Sequence, residues 1–438
     1  MNRAFSCFIL LFFSITVFAQ TTYTLQQCID SAFANNIPVK QADLLKQTAA
    51  VNWRQARMNL LPIVNASASH GVNSGRSIDP FTNTYVNQSV NRASYGINSG
   101  VTLFNGLTLQ NRIKENAYIY EATKMELQQS KDQLALDVIL AYLQVLNNED
   151  QVQVNIIQAE RSQKTLDRLQ VMNNQGAVKP SDVTDMKGEL MENQLAILNS
   201  RNQLETSKLN LTQLMNKPYD PNIKLERINV EEFLANYTAS ANDVYENSLK
   251  QFAQVKAVEL RTKSSQYSVK AAKGQLFPEL SFGANINTNY SSIAQIGGQK
   301  IPYTDQLKNN RFTAVGFGLN IPIFNSFFAR NRIKLADIAL RNDELIEENT
   351  KLQLHQDIDQ AYLNMVNSFE RYKLLLQQVS AYEESFKAAE VRFNAGVGTS
   401  IDYLLAKDRF DNANTNLLNA RYDFVLRKRI LDYYYGKR

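Results

Sequence analysis

Two short glycine-bearing turns, at Gly176 and at Gly396-Val397-Gly398, are each followed by carboxylates: Asp182 and Asp185 after the first, Asp402 after the second. Acids about one helical turn beyond a tight turn can do two things. They can cap a helix start, where Asp is a preferred residue. Repeated around an axis by several copies of a chain, they can also form an acidic ring that favours cations. Covalent chemistry is harder to find. The two histidines, His70 and His355, have no second His or Cys at metal-ligand spacing. Gly396-Val397-Gly398-Thr399-Ser400 lacks the Gly-Lys-Ser/Thr ending and the preceding strand of a phosphate loop. No Ser-His-Asp order or paired-carboxylate cleft stands out among 42 scattered acids. The chain reads as a non-enzyme and implies no cofactor.

The elements that carry these turns are duplicated. Leu103-Phe104-Asn105 matches Ile323-Phe324-Asn325, and Asn111-Arg112-Ile113-Lys114 recurs as Asn331-Arg332-Ile333-Lys334. Ala141-Tyr142-Leu143 recurs as Ala361-Tyr362-Leu363, and Leu198-Asn199-Ser200-Arg201 as Leu418-Asn419-Ala420-Arg421. All four pairs are offset by 220 residues, whereas Leu61-Pro62 and Phe277-Pro278 are offset by 216. A shared offset is the mark of a tandem repeat. The second copy therefore holds four extra residues between Pro278 and Ile323.

Composition says what those copies are made of. The 438 residues include only 16 Gly and 9 Pro, about half the usual share of about 12%. Both breakers are absent from Leu107 to Asn174 and from Phe327 to Ala395. A helix of that length spans about 100 Å, too deep for a globular core, so such helices must pair laterally. The seam is visible: Val183, Leu190, Ile197, Leu204 and Leu211 fall seven apart, and Tyr403, Phe410, Leu417, Phe424 and Leu431 keep the register at +220. A sustained seven-residue apolar stripe is a coiled-coil seam. Leu134, Val138, Ala141 and Val145 supply a comparable face on the long helix. Each copy therefore predicts helix, strand, strand, very long helix, tight turn, helix.

The four strands alternate with period two. Leu280, Phe282, Ala284 and Ile286 alternate with Ser281, Gly283, Asn285 and Asn287, and Val315 to Ile323 behave alike. Segments 61–70 and 94–104 are the counterparts, with Tyr95, Ile97, Val101 and Leu103 on one face and Asn98, Gly100 and Thr102 on the other. About ten residues suits a tilted membrane strand. Four strands leave open edges that lipid does not tolerate, so other copies must complete the sheet. Two copies give eight strands, whose interior fills with side chains; three give twelve, wide enough for a lumen. A soluble antiparallel domain is the alternative.

Charge and targeting bound the setting. A net charge of +5 is too small and scattered to argue for nucleic acid. Mean hydropathy of −0.34 excludes a polytopic helical membrane protein. Residues 1–20 have Arg3, an apolar run from Phe5 to Phe18 and small Ala19, which predicts a cleaved signal peptide. Removal of Cys7 with it would leave Cys28 alone, without an intramolecular disulfide.

The leader, the Leu-Pro before the first strand, the duplication and the hairpin turns together resemble the TolC-type outer-membrane efflux family, over nearly the whole mature chain. The ordered pieces are Leu25, Ala32, Asn36 and Pro38; Leu60-Leu61-Pro62; the run Phe393 to Asp402; and Asn419-Ala420-Arg421. The resemblance implies a mainly α fold with membrane β. Tandem long helical hairpins and four transmembrane strands would assemble as a homotrimer with a 12-stranded β-barrel and a periplasmic α-barrel tunnel. It implies a signal peptide at 1–20, a first repeat at 21–215, an equatorial segment at 216–242 and a second repeat at 243–438.

The implied function is a passive exit duct in the outer membrane of a Gram-negative bacterium. It would be fed by an inner-membrane RND or ABC transporter through a periplasmic adaptor. Gly176, Gly396 and Gly398 would then mark adaptor-contacting tips, and Asp182, Asp185 and Asp402 the periplasmic entrance. One departure concerns gating. Some members latch the closed tip with a Tyr and an Arg, where Phe393 and Gly398 stand here, so any closed state must use other contacts. The competing reading is a periplasmic coiled-coil scaffold or adaptor without a pore; two hairpins and membrane-length strands fit it less well.

Overall fold

The protein is described by a computed structural model covering residues 22–78, 83–87, 89–228 and 237–436. The expected leader at 1–20 lies outside the described residues, as does 229–236 of the inter-repeat segment. In chain order come β1 (Thr22–Tyr23), α1 (Leu25–Asn35), α2 (Ile37–Met58), β2 (Ile63–Asn73), β3 (Arg76–Ile78), β4 (Tyr85–Asn87), β5 (Val90–Asn105), α3 (Thr108–Asn174) and α4 (Pro180–Leu214). After β6 (Lys224–Leu225) follow α5 (Ala241–Gln251), α6 (Ala253–Gly274), β7 (Glu279–Ser291), β8 (Gln295–Ile296) and β9 (Gln299–Lys300). The chain then runs through α7 (Tyr303–Asn309), β10 (Phe312–Asn320), α8 (Phe328–Asn394) and α9 (Ser400–Tyr435).

The duplication is carried into the elements. Helices α1 and α5 have 11 residues each, α2 and α6 have 22, and α3 and α8 have 67 without a break. The single opening helix expected in each copy is in fact two. Asn36 is extended at φ −62°, ψ 127°, and its Oδ1 accepts the Val39 amide at 3.3 Å. Phe252 takes the same conformation at φ −69°, ψ 122° without a capping side chain. A Pro in the first turn of α2 suits a helix start; its counterpart does without one.

Contacts divide the chain into two compact units, one of 1–40, 130–250 and 355–438, the other of 41–129 and 251–354. The first is held by the long helices. No residue of the two seven-residue stripes on α4 and α9 is exposed; Leu190, Leu211, Tyr403, Phe424 and Leu431 are buried. Leu134, Val138 and Val145 on α3 are buried, and so are their +220 counterparts Leu354, Ile358 and Met365 on α8; of these, only Leu354 belongs to the other unit. In the first unit, β1 pairs in parallel with β6, and the Tyr142 hydroxyl, fully buried, donates to the Glu226 and Tyr23 carbonyls at 2.7 and 3.1 Å.

The second unit is built on a four-stranded antiparallel sheet ordered β10-β7-β5-β2. Its rungs sort polar from apolar. Asn65, Asn98 and Asn285 stand opposite one another in one rung; Ala66, Ile97 and Ile286 form the next. Phe282 pairs with Phe317, their rings 5.2 Å apart. Two expectations change. A β-bulge between Thr102 and Phe104 makes Leu103 the extra residue and sets Phe104 opposite Leu280; such a bulge flips the alternation. The last strand ends at Asn320 instead of Ile323, consistent with Pro322, which has no amide to donate.

Among the described residues no helix is long and apolar enough to cross a membrane. Among the described residues β2 and β10 each lack a strand on their outer side; every residue of β2 is exposed, and Val315, Phe317 and Leu319 on β10 are at least 63% exposed.

Candidate functional site

The two hairpin ends, 172–183 and 392–403, are backbone copies of each other. Gly176 at φ +73° and Gly396 at φ +74° close the long helices. The Gly176 and Ala177 amides donate to the Asn173 and Met172 carbonyls, both at 2.9 Å; the Gly396 and Val397 amides repeat this with Phe393 and Arg392 at 3.2 and 3.1 Å. This is the Schellman pair of bonds, which needs a left-handed residue, most cheaply Gly. Both glycines have open space around them, so the tips are bare. Gly398 is different: a Cβ there would stand 3.1 Å from the Phe393 amide nitrogen and 3.2 Å from the Arg392 carbonyl carbon. Its smallness lets the second turn fold onto its own helix end.

The acids start the next helices, but not as the cap residues themselves. Lys179 and Thr399 hold the cap positions. Asp182 reaches back to accept the Lys179 amide at 3.3 Å, and the Thr399 hydroxyl donates to Asp402 at 2.7 Å while accepting its amide at 3.1 Å. Carboxylates in a first helical turn also meet the positive end of the helix dipole. Asp182 is half-buried because it also accepts the Ser400 hydroxyl at 2.8 Å, joining the two hairpins. Asp185 and Asp402 are exposed.

Behind the tips lies a core that the sequence foretold only in part. Leu166, Leu169, Met186, Leu190, Phe386, Phe393 and Tyr403 are buried together. Phe393 stacks on Tyr403 with ring centres 4.9 Å apart. Burial pushes the Tyr403 hydroxyl above its ordinary value, although it shares a 3.1 Å hydrogen bond with Thr165.

Next to that core sits an ionic cluster that sequence reading missed. Lys407, 1% exposed, contacts Glu189 at 2.7 Å and Asp411 at 2.8 Å. Arg161 contacts Asp411 at 2.9 Å and lies over the Phe386 and Phe410 rings. Burial pulls the Lys407 ammonium down, but Asp411 and Glu189 outweigh it and leave it above the usual lysine range. The cluster ties three helices, α3, α4 and α9. A signal existed: Lys407 follows stripe residue Tyr403 by four, so a charge falls on the seam face. The i,i+4 spacing to Asp411 disguised it as a solvated pair.

His355 lies beside Asp359 at 3.1 Å and against the Tyr245 ring; His70 is exposed on β2. Among the described residues no three His, Cys, Asp or Glu side chains gather as a metal site.

The family described as "Outer membrane efflux protein" matches residues 28–217 and 244–436, one match per copy. The chain belongs to that family. An outer-membrane efflux protein is a transport protein, not a member of an enzyme family. The outer membrane protein TolC of Escherichia coli (strain K12) is 23% identical over 409 residues, covering 92% of this chain and 80% of that protein. The solved structure of VceC from Vibrio cholerae superposes with TM-score 0.80 at 15% identity over 94% of this chain and 96% of its own. The CmeC channel of Campylobacter jejuni does so with TM-score 0.79 at 16% identity, covering 94% and 85%. These likenesses show the mainly α fold with tandem repeats and a small sheet.

Proposed function

We propose that the protein is one third of a homotrimeric exit duct in the outer membrane of a Gram-negative bacterium. The observation that carries this reading is the sheet: four long strands, polar on one face and apolar on the other, open at β2 and at β10. Open edges in hydrocarbon cost roughly several kcal/mol per unpaired backbone group, so a sheet persists there only as a closed barrel. Three copies supply twelve strands, a size that leaves a lumen. Asn65, Asn98 and Asn285 would line that lumen, and Phe282 and Phe317 would meet lipid.

Residues 1–20 act as the export leader in this reading, 21–215 and 243–438 as the two repeats, and 216–242 as the segment between them. The tips at Gly176, Gly396 and Gly398 point into the periplasm and receive an adaptor, itself coupled to an inner-membrane RND or ABC transporter. Asp182, Asp185 and Asp402 contribute nine carboxylates to the entrance. Conduction is passive, so cargo is chosen by the pump.

Fractionation tests the core of the reading. The expected result is a heat-modifiable trimer released from outer membranes only by detergent; a soluble periplasmic monomer overturns it in favour of a scaffold. Planar-bilayer recording tests the entrance. Asp182→Asn with Asp402→Asn is expected to lower single-channel conductance and cation preference; unchanged values would remove these acids from the pore.

A further inference from the structure

Between β7 and β10 the second copy carries a short helix, α7, that a strand connection does not require. It is pinned to the sheet. Gln306, 1% exposed, accepts the Ser291 amide at 2.9 Å and donates to the Ser291 and Ile301 carbonyls at 3.0 and 2.9 Å. The Thr288 hydroxyl donates to the Leu307 carbonyl at 2.7 Å, and the Asn310 side chain donates to the Asn289 carbonyl at 2.9 Å. The Tyr303 ring packs on Tyr290 at 4.5 Å, and its hydroxyl shares a 2.6 Å hydrogen bond with that of Tyr95. A helix tied at so many points is a fixed wall.

The register says which face it covers. Tyr95 stands opposite Thr288 and Ala93 opposite Tyr290, so both pairs share a face with the Ile97–Ile286 rung. Helix α7 therefore lies over the apolar face, the one that carries Phe282 and Phe317 and would meet lipid. It lies near one end of that face. From Leu280 to Tyr290, β7 advances ten residues, about 33 Å along the strand and about 25 Å of height at the tilt of a membrane strand. That is the height of an outer-membrane barrel's apolar band, which aromatic girdles bound at both edges. Tyr95, Tyr290 and Tyr303 stand where a girdle belongs, at the edge away from α2 and α6. In the exit-duct reading that edge is the outer leaflet.

Beside α7 the same face is hollow. A cavity of about 450 Å³ is floored by Ala66, Ala68, Ile97 and Ile286 and walled by Leu307 and Arg311. The floor is apolar and open, with Ile97 51% and Ile286 46% exposed. The rim is cationic. Segment 292–311 holds Lys300, Lys308 and Arg311 against a single acid, Asp305. All three cations are exposed, and among the described residues none of them enters an ion pair. On the long helices, by contrast, Lys351 and Lys407 contact two acids each.

We propose that the groove beside α7 holds a phosphorylated glycolipid of the outer leaflet, with one acyl chain on the alanine and isoleucine floor and a phosphate against Arg311 and Lys308. An apolar trough that opens toward lipid suits an acyl chain. A guanidinium at headgroup level suits a phosphate, which its planar fork grips at two points. Lys308, three residues earlier, adds a second charge, so a headgroup with two phosphates fits better than a phospholipid with one. The inference rests on the exit-duct reading and deepens it by naming a lipid that the sheet selects. Only the second copy has the site: between β2 and β5 the described residues form the β3–β4 hairpin and no helix. A trimer would carry three such lipids.

Native mass spectrometry of the full chain in detergent tests the site, with diphosphoryl lipid A as the probe. The expected result is a trimer that retains three lipids at concentrations where phosphatidylglycerol is lost. Arg311→Gln with Lys308→Gln should weaken lipid A binding about tenfold, as losing a charge-assisted contact to phosphate does. Arg330→Gln, which removes an exposed cation beyond the other end of β10, should leave binding unchanged. Ala68→Trp fills the floor and should expel the lipid with the rim intact. Heat-modifiable trimer checks the fold of every variant. The proposal is overturned if lipid A and phosphatidylglycerol bind alike, if millimolar inorganic phosphate displaces the lipid, or if the rim variants bind as well as the parent. In each of those cases the trimer persists and the exit-duct reading stands. A soluble monomer takes both down.

Discussion

The sheet and the hairpin tips meet their polar obligations in opposite ways. At the tips the turn amides are satisfied within the chain: glycine turns return them to the preceding helix, and Asp182 and the Thr399–Asp402 pair close the next one. In the sheet, β2 and β10 each keep one edge without a strand partner among the described residues. A region complete in one copy can rearrange by itself, whereas a region complete only in company is fixed by its neighbours. The proposed duct needs that division, an entrance that can rearrange and a wall that stays sealed in lipid.

The contrast can be broken from either side. The largest effect is expected at Lys407→Met, which leaves Glu189 and Asp411 without their cation. Removing one partner of a buried pair costs about 3–5 kcal/mol, so hydrogen exchange in 180–190 and 400–411 should rise steeply while the trimer persists. On the sheet side, Phe317→Lys puts a charge on the proposed lipid face. The cost is about 2–4 kcal/mol at mid-bilayer, and heat-modifiable trimer should be lost while helical circular dichroism remains. Gly176→Ala or Gly396→Ala sharpens the tip half, since an L side chain in the left-handed region costs about 1–2 kcal/mol. Proteolysis at the substituted turn should accelerate, and the other turn should be untouched.

The smallest effect is a pH dependence. Lys407 and Tyr403 both have folded values raised above their unfolded ones. Their contribution is therefore full below about pH 10 and is lost as pH rises through the folded values. Near-ultraviolet dichroism of the tip aromatics should hold from pH 7 to 9 and fall above about 10. Loss below 9 would contradict the assignment.

Much of this molecule could be read from spacing. The runs free of Gly and Pro foretold two very long helices, found with 67 residues each, and the stripes from Val183 and Tyr403 foretold a seam. What escaped depends on geometry that spacing does not encode. Leu103 looks like any alternating residue until a bulge removes it from the ladder. Lys407 and Asp411 look like a solvated pair until Glu189 and Arg161 arrive from other helices. Asp182 reads as pore lining and as cap at once, and spacing does not show that its side chain closes a helix start while offering an oxygen to Ser400.

Helices α3 and α8 count the same number of residues, 67 each, and this equality constrains the history of the protein. Deleting one heptad from α3 alone would move Gly176 out of step with Gly396 and part Asp182 from Ser400. A lengthening or shortening survives only when matched in α3, α4, α8 and α9, in multiples of seven. The protein works as a ruler with whole-number graduations, and descendants of different reach should differ by coordinated steps, with few intermediate lengths between them.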